Sequence, residues 1–196
     1  MFTGIVETQG IIKKITEKGA NKTFWIKSPI SQKLKPDQSV AHDGVCLTVE
    51  EIKGTRHRVT AIAETLAKTS LNDWKVGSII NLERCLKVND RLDGHFVQGH
   101  IDAAATCIDK KEKNGSWEFR FRFPSEFGQL IIEKGSITVN GISLTAFNVS
   151  KDSFEVAIIP YTFEYTNMST LNVGQKVNIE FDMLGKYINR KLSLSK

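Results

Sequence analysis

Cys46 and Ser143 hold the same place in two copies of one motif. HDGVCLTV at 42–49 returns as VNGISLTA at 139–146, so a thiol in the first copy stands where the second has a hydroxyl. A thiol attacks only as its thiolate and needs an environment that lowers its pKa. Cys46, flanked by Val45 and Leu47, equally fits a small buried hydrophobe, and both readings stand at this point. Ser39, His95 and His100 are further groups that could add to a substrate or move a proton. His95 and His100 are five positions apart in GHFVQGH, but no Cys or second His pair stands at a ligand spacing, so no metal site is expected. Asp182 closes a strand with Glu180 ahead of the tail and reads as a helix cap or a solvated charge. His42 and Asp43 read as turn residues, Cys85 and Cys107 as structural.

These residues sit in a chain that repeats itself. KVGSIINLE at 75–83 returns as NVGQKVNIE at 172–180, at the same offset of 97 as the first motif, and GIVE at 4–7 is answered by GHID at 99–102. Two small domains built alike follow: 1–97, 98–183, and a tail at 184–196 that belongs to neither copy. Two copies give two similar pockets, which suits a reaction between two like molecules. The copies are chemically unequal, since Ile5 corresponds to His100 and Glu64 to Tyr161.

Composition sets the outer bounds. With 196 residues, 40% apolar and 25% charged, the chain is that of an ordinary globular protein. No apolar run reaches the roughly 20 residues of a membrane span, and no secretory leader is visible. Three cysteines without CxxC spacing read as reduced thiols of a cytoplasmic protein. The net charge of +5 lies mostly in turns interrupted by acids, so nucleic acid is not an expected partner.

Short runs rich in Val, Ile, Thr, Phe and Trp, broken by Gly about every ten residues, predict an all-β fold. Strands are expected near 22–27, 45–52, 57–62, 78–83, 117–123, 136–140, 153–159 and 175–181. Closing each half into a small Greek-key barrel of six strands would remove exposed edges. Short helices are expected in 64–73 and 124–133. In 183–195, Leu184, Tyr187, Ile188 and Leu192 recur at helical spacing opposite Lys186, Arg190 and Lys191. That terminal helix covers either its own barrel or a second copy of the chain. The join at 92–99 is compact, so the halves should pack together.

Five motifs in order, MFTGIVE at 1–7, SVAHDGVCLTV at 39–49, GHFVQGHID at 94–102, NGISLT at 140–145 and VNIEFD at 177–182, closely resemble the riboflavin synthase family of the alpha-chain type, with its lumazine-binding repeats. The resemblance covers essentially the whole chain. It implies two six-stranded barrels in tandem, a C-terminal helix and a homotrimer, and it leaves lumazine synthase as a further candidate partner. It implies the dismutation of two molecules of 6,7-dimethyl-8-ribityllumazine: one passes a four-carbon unit to the other, giving riboflavin and 5-amino-6-ribitylamino-2,4(1H,3H)-pyrimidinedione. No metal or organic cofactor is implied. Each active site would form between the first barrel of one subunit and the second barrel of its neighbour.

By the same resemblance, the first pocket would use Gly4, Ile5 and Val6, then Cys46, Leu47 and Thr48, then Thr60, Ala61, Ile62, Ala63, Glu64 and Thr65. The second would use Gly99, His100 and Ile101, then Ser143, Leu144 and Thr145, then Ile159, Pro160, Tyr161, Thr162, Phe163 and Glu164. Lys134 would reach the ligand of a neighbouring subunit. Ser39, Cys46, His100 and Asp182 are the catalytic candidates. Asn140 departs from the family, several members of which carry Asp there; an amide can orient a ligand edge but cannot serve as a carboxylate base.

Two other functions compete. A non-catalytic lumazine- or flavin-binding antenna protein would share the fold, though such relatives usually lose parts of the motifs that are whole here. A flavin reductase would need a nicotinamide-binding unit, and no strand–GxGxxG–helix is present.

Overall fold

Strand after strand buries one face and leaves the other wet. In β2 (Asn21–Lys27), Phe24 and Ile26 are fully buried while Lys27 is exposed; in β9 (Trp117–Arg122), Phe119 and Phe121 are buried between Glu118, Arg120 and Arg122. That period of two sends all inward residues of each half into one core. The computed structural model describes residues 1–195, and in it those faces surround two cores, one inside a closed barrel and one inside a half-barrel. The second half is the closed barrel, of six strands in the order β10 (Ser136–Val139), β11 (Ile142–Phe147), β12 (Ser153–Ile158), β9, β8 (Ala103–Glu112), β13 (Lys176–Phe181).

The first half differs from the expected six strands. Its sheet has seven, in the order β4 (Val45–Thr48), β3 (Ser39–His42), β7 (Ile79–Arg84), β1 (Thr8–Lys18), β2, β6 (Arg56–Ala61), β5 (Glu51–Lys53). The cause is local. β4 and β5 stand at opposite ends of the order and are joined by Val49 and Glu50, where the ladder breaks; the counterpart in the second half is the single strand β11. The Glu50 N–H still bonds to the Arg58 carbonyl at 2.9 Å, so the chain itself carries the ring across the gap.

Each barrel carries a short helix after its last hairpin strand: α1 (Ala63–Lys68) in the first and α2 (Pro160–Tyr165) in the second. The predicted helix over 64–73 is shorter than expected and ends in a 3-10 turn at Ser70–Asp73. The one predicted over 124–133 is only a 3-10 turn, Ser125–Leu130. α2 went unforeseen, although Pro160 at its first turn is a start signal. The terminal helix α3 (Met183–Leu194) forms as its periodicity predicts, capped by Asp182, whose carboxylate accepts the Leu184 N–H at 3.0 Å.

Asp43 stands in the expected turn, but His42 ends β3, and both are buried. His42 is fully buried; its Nε2 lies 2.9 Å from Nε2 of His57, whose Nδ1 lies 2.8 Å from the Ser31 hydroxyl. Burial holds both imidazoles below their ordinary pKa, His57 at about 4, so the pair is neutral and one ring donates to the other. Asp43 lies where the barrels meet. Its carboxylate accepts the Asn81 N–H at 2.7 Å and the Asn167 side-chain amide at 2.9 Å, and burial raises it to about 7.

The two halves meet in matching contacts, with Gly44 packed against Gly141. A Cβ on Gly44 would lie 2.8 Å from the Gly141 nitrogen, and one on Gly141 would lie 2.7 Å from the Gly44 nitrogen. Both glycines also take positive φ, +81° and +76°. Around them the side chains answer one another. Asn81 donates to the Asn140 carbonyl at 2.9 Å, and Asn178 donates to the Asp43 carbonyl at 3.0 Å. Gly44→Ala is therefore expected to cost more than about 3 kcal/mol, from backbone overlap and left-handed strain together. Gly54→Ala, with φ +57° but open space around it, is expected to cost about 1 kcal/mol. Urea unfolding of the two variants checks the difference.

Candidate functional site

Each barrel contributes one rim, and the two are built alike. On the first, Cys46 of β4 is half-buried and its N–H donates to the Gly99 carbonyl at 2.9 Å. The N–H groups of Gln98, Gly99 and His100 in turn donate to the Glu180 carboxylate at 2.7, 2.9 and 3.1 Å. On the second, the Ser143 N–H donates to the Gly4 carbonyl at 2.7 Å, while the N–H groups of Thr3 and Gly4 donate to the Glu83 carboxylate at 2.7 and 3.0 Å. Each glycine therefore ties one barrel to the other through its own peptide. Neither tolerates a side chain: a Cβ on Gly99 would meet that of Cys46 at 2.6 Å, and one on Gly4 that of Ser143 at 2.7 Å.

This crossing corrects the grouping of pocket segments. The expected first pocket put Gly4, Ile5 and Val6 with Cys46, Leu47 and Thr48; the expected second put Gly99, His100 and Ile101 with Ser143, Leu144 and Thr145. The structure sets Gly4 against Ser143 and Gly99 against Cys46. Val6 packs on the second core and Ile101 on the first. The physical cause lies in Glu83 and Glu180, at the ends of β7 and β13. Each captures the amides of the leading segment and holds it between the barrels. Their buried carboxylates are the main functional groups the sequence reading missed; the signal was there, since both copies of the 75–83 motif end in the same Glu.

The chemistry of the two rims differs. At the first, Ser39 opposes Thr48 across the β3–β4 ladder, and the Cys85 thiol lies 3.4 Å from the Ser39 carbonyl. Burial pushes the Cys46 thiol above its ordinary range, and the Cys85 and Glu180 charges add to that, against a Ser39 hydrogen bond and the N-terminal ammonium. Near pH 7 this is a neutral thiol, a hydrogen-bonding group rather than a ready nucleophile. A cavity of about 740 Å³ opens beside Ser39 and Cys85, walled by Thr3, Ile5 and Arg84.

At the second rim, Nδ1 of His95 lies 2.7 Å from the Ser143 hydroxyl and its Nε2 lies 3.2 Å from the Thr138 hydroxyl. Burial lowers the His95 pKa, with the nearby Asp182 carboxylate acting against it. A neutral imidazole bonded to a serine hydroxyl can take a proton from it or orient its lone pairs. Among the catalytic candidates, Ser39, Cys46 and the His100 backbone thus gather at the first rim, and Asp182 stands with His95 at the second. Asp182 also fulfils the capping role foreseen for it.

The remaining expected residues spread over the two barrel mouths. Thr48, Ile62, Ala63 and Glu64 are exposed on the first, with Ala61 buried, Thr65 half-buried and Thr60 bonded to Thr23 at 2.9 Å. Thr145, Ile159, Pro160, Tyr161 and Glu164 are exposed on the second, with Thr162 and Phe163 half-buried. Lys134 lies with its ammonium 5.4 Å from the Phe147 ring. Asn140, in place of an acid, accepts the Asn178 N–H at 2.8 Å and turns its amide toward the Asn167 oxygen at 3.4 Å. A carboxylate there would face that oxygen without a donor, so the amide suits this interface.

The lumazine-binding domain model matches residues 3–85 and again 98–182. The chain belongs to the lumazine-binding domain family. Riboflavin synthase of Bacillus subtilis (strain 168) is 39% identical over 193 residues, covering 98% of this chain and 90% of that protein. The enzyme of the same name from Mycobacterium tuberculosis (strain ATCC 25618 / H37Rv) is 38% identical over 196 residues, with 97% of each covered. The crystal structure of LumP complexed with riboflavin superposes with a TM-score of 0.87 at 26% identity, covering 92% of this chain and 99% of that one. The complex of LumP with 6,7-dimethyl-8-(1'-D-ribityl)lumazine superposes at 0.85 with the same identity and coverage. Family membership leaves the state of the thiol to be measured. Cys46 should alkylate with iodoacetamide along a pH profile whose midpoint lies above that of an ordinary cysteine thiol; peptide mass spectrometry after timed labelling checks it, and a midpoint below that of an ordinary thiol would mark an activated thiolate.

Proposed function

We propose that the protein is a riboflavin synthase, converting two molecules of 6,7-dimethyl-8-ribityllumazine into riboflavin and 5-amino-6-ribitylamino-2,4(1H,3H)-pyrimidinedione. The observation that carries this is full-length likeness to enzymes of that name, with both repeats intact. Each half, 1–97 and 98–183, offers one seat for a flat heterocycle with a ribityl tail. The C7 methyl group of such a lumazine is acidic because its carbanion delocalises into the ring, so the protein needs mainly to orient two molecules and to move protons.

The division of groups between the rims fits a donor and an acceptor. The His95–Ser143 pair is a neutral base with a hydroxyl already bonded to it, suited to taking and returning a methyl proton. Ser39, the Cys46 thiol and His100 supply hydrogen bonds and polar contacts on the other side. By the family resemblance, a complete site sets the first barrel of one copy against the second barrel of another. A homotrimer closes such head-to-tail contacts into a ring. The outward face of α3 supports this: Leu184, Tyr187, Ile188 and Leu192 are each at least 60% exposed, beside a groove of about 990 Å³ that Ile132 also lines. Lys134 then reaches the neighbour's ligand. Three free cysteines fit a reducing, cytoplasmic setting.

One observation favours a second reading. The likeness to LumP covers nearly all of both chains, so a protein that binds lumazine without turning it over fits the fold as well. Turnover separates the two. Incubation with the lumazine is expected to yield riboflavin fluorescence with two lumazines consumed for each riboflavin formed; tight binding without that product would establish the antenna reading. Removal of 184–196 is expected to give monomers in sedimentation velocity and to lower turnover at least about tenfold, because the paired seats separate. A truncated chain that stays trimeric would leave α3 without that role.

A further inference from the structure

α2 forms part of the mouth of the second barrel, and its placement depends on residues outside any pocket. The ring of Phe163 stacks on Trp117 of β9 with centroids 3.8 Å apart and planes 3° from parallel. On the same cluster stands Lys110 of β8, whose ammonium is 5.2 Å from the Phe163 ring and 5.4 Å from that of Phe119. The same ammonium donates to the carbonyls of Leu171 at 2.8 Å and Ser169 at 3.2 Å, in the segment that follows α2. One cation thus grips the helix through its ring and the chain beyond it through its carbonyls, and an indole fixes the ring from the other side. Phe163, Leu144 and Val6 all pack on the second core.

The first half has nothing of the kind. At the counterpart positions, set by the matching strand registers, stand Leu66 for Phe163, Ile15 for Lys110 and Lys22 for Trp117. Leu66 is buried in the core and Ile15 packs half-buried against it, while Lys22 pairs with Glu17 at 3.2 Å. The outer faces differ in step: Glu64 and Lys68 form an ion pair at 2.9 Å on α1, and the rings of their counterparts Tyr161 and Tyr165 lie tilted against each other with centroids 4.6 Å apart on α2.

We propose that Lys110 and Trp117 are positioning residues for the second ligand seat: they lock Phe163, and with it α2, into a rigid wall that the first seat lacks. This rests on the reading of two ligand seats given above. A rigid wall lowers the ordering cost of binding, so the clamp sets the affinity of the second seat without touching the first. Loosening it weakens one seat by about three- to tenfold, the range an aromatic stack of this kind supplies.

The test uses the full-length protein, riboflavin as the probe and the lumazine as substrate. Trp117→Leu and Lys110→Met are expected to raise KM and to weaken one of two riboflavin sites by about three- to tenfold, with the other site unchanged in the same titration. Lys110→Arg, which keeps the cation, is expected to restore most of that loss. Phe163→Leu, which installs the residue of the first half, gives the same one-site effect in a milder change and serves if the indole variant does not fold. A merely structural clamp would lower the thermal midpoint and leave both sites as they are, and that result overturns the proposal, as does equal weakening of both. If the unaltered protein binds riboflavin at one site only, or makes no riboflavin, the reading of two catalytic seats fails first, and the clamp is then judged by binding alone.

Discussion

Two backbones touching at Gly44 and Gly141 decide how everything else is arranged. Strands that approach so closely leave no room for side chains, and the peptide groups buried there must find partners within the contact. Asn81 and Asn178 supply them, each donating to the carbonyl beside the opposite glycine. Asn167 and Ser70 donate their backbone N–H groups to the Asn81 and Asn178 side-chain oxygens in turn. The result is a polar seam in which, among the described residues, no buried side-chain nitrogen or oxygen lacks a partner. Such a seam fixes one relative orientation of two barrels, because any slip would strand several donors at once.

That fixed orientation brings the leading segments into play. Residues 1–6 and 94–101 lie between the barrels, anchored by a carboxylate of one and a strand amide of the other. Glu83 and Glu180 are buried and are raised above the ordinary carboxylate range by that burial, with their N–H donors pulling the other way. Three donors on Glu180, and on Glu83 two backbone amides with the Thr3 hydroxyl at 2.8 Å, are what makes a carboxylate tolerable at such depth. The symmetry is then broken by single substitutions. Where one rim has Cys46, Cys85 and a neutral thiol, the other has Ser143, Asp182 and a histidine. Duplication supplies two similar seats; the rim chemistry makes them unequal, as a transfer from one molecule to its twin requires.

Much of this was written in the chain at an offset of 97. The repeat, the β class and the terminal helix follow from residue order alone, whereas Ser39, Cys46, His100 and Asp182 are named as candidates by the family resemblance. What was not legible is spatial exchange. Linear motifs group Gly4 with Cys46 because both lie in the first half, whereas the folded chain sends Gly4 across to Ser143. The break at Val49 and Glu50 was equally invisible, since VCLTVEEI keeps strand-like composition through it. His42 shows the opposite failure. Next to Asp-Gly it looks like a turn residue, yet its partner His57 lies on another strand, and only the barrel brings the two rings within 2.9 Å.

The single carboxyl at the seam carries the argument one step further. Asp43 and Asn140 are counterparts, and both reach Asn167, one through its amide nitrogen and one toward its oxygen. An amide bridge of that polarity fits one acid and one amide, and it fits two acids badly, since the second would set a charge against an oxygen already engaged by Asn81 at 2.9 Å. Asn140 is therefore explained by the packing of the barrels rather than by the chemistry of a pocket. Position 140 is buried in the seam, while His95 bonds the Ser143 hydroxyl and Asp182 caps α3.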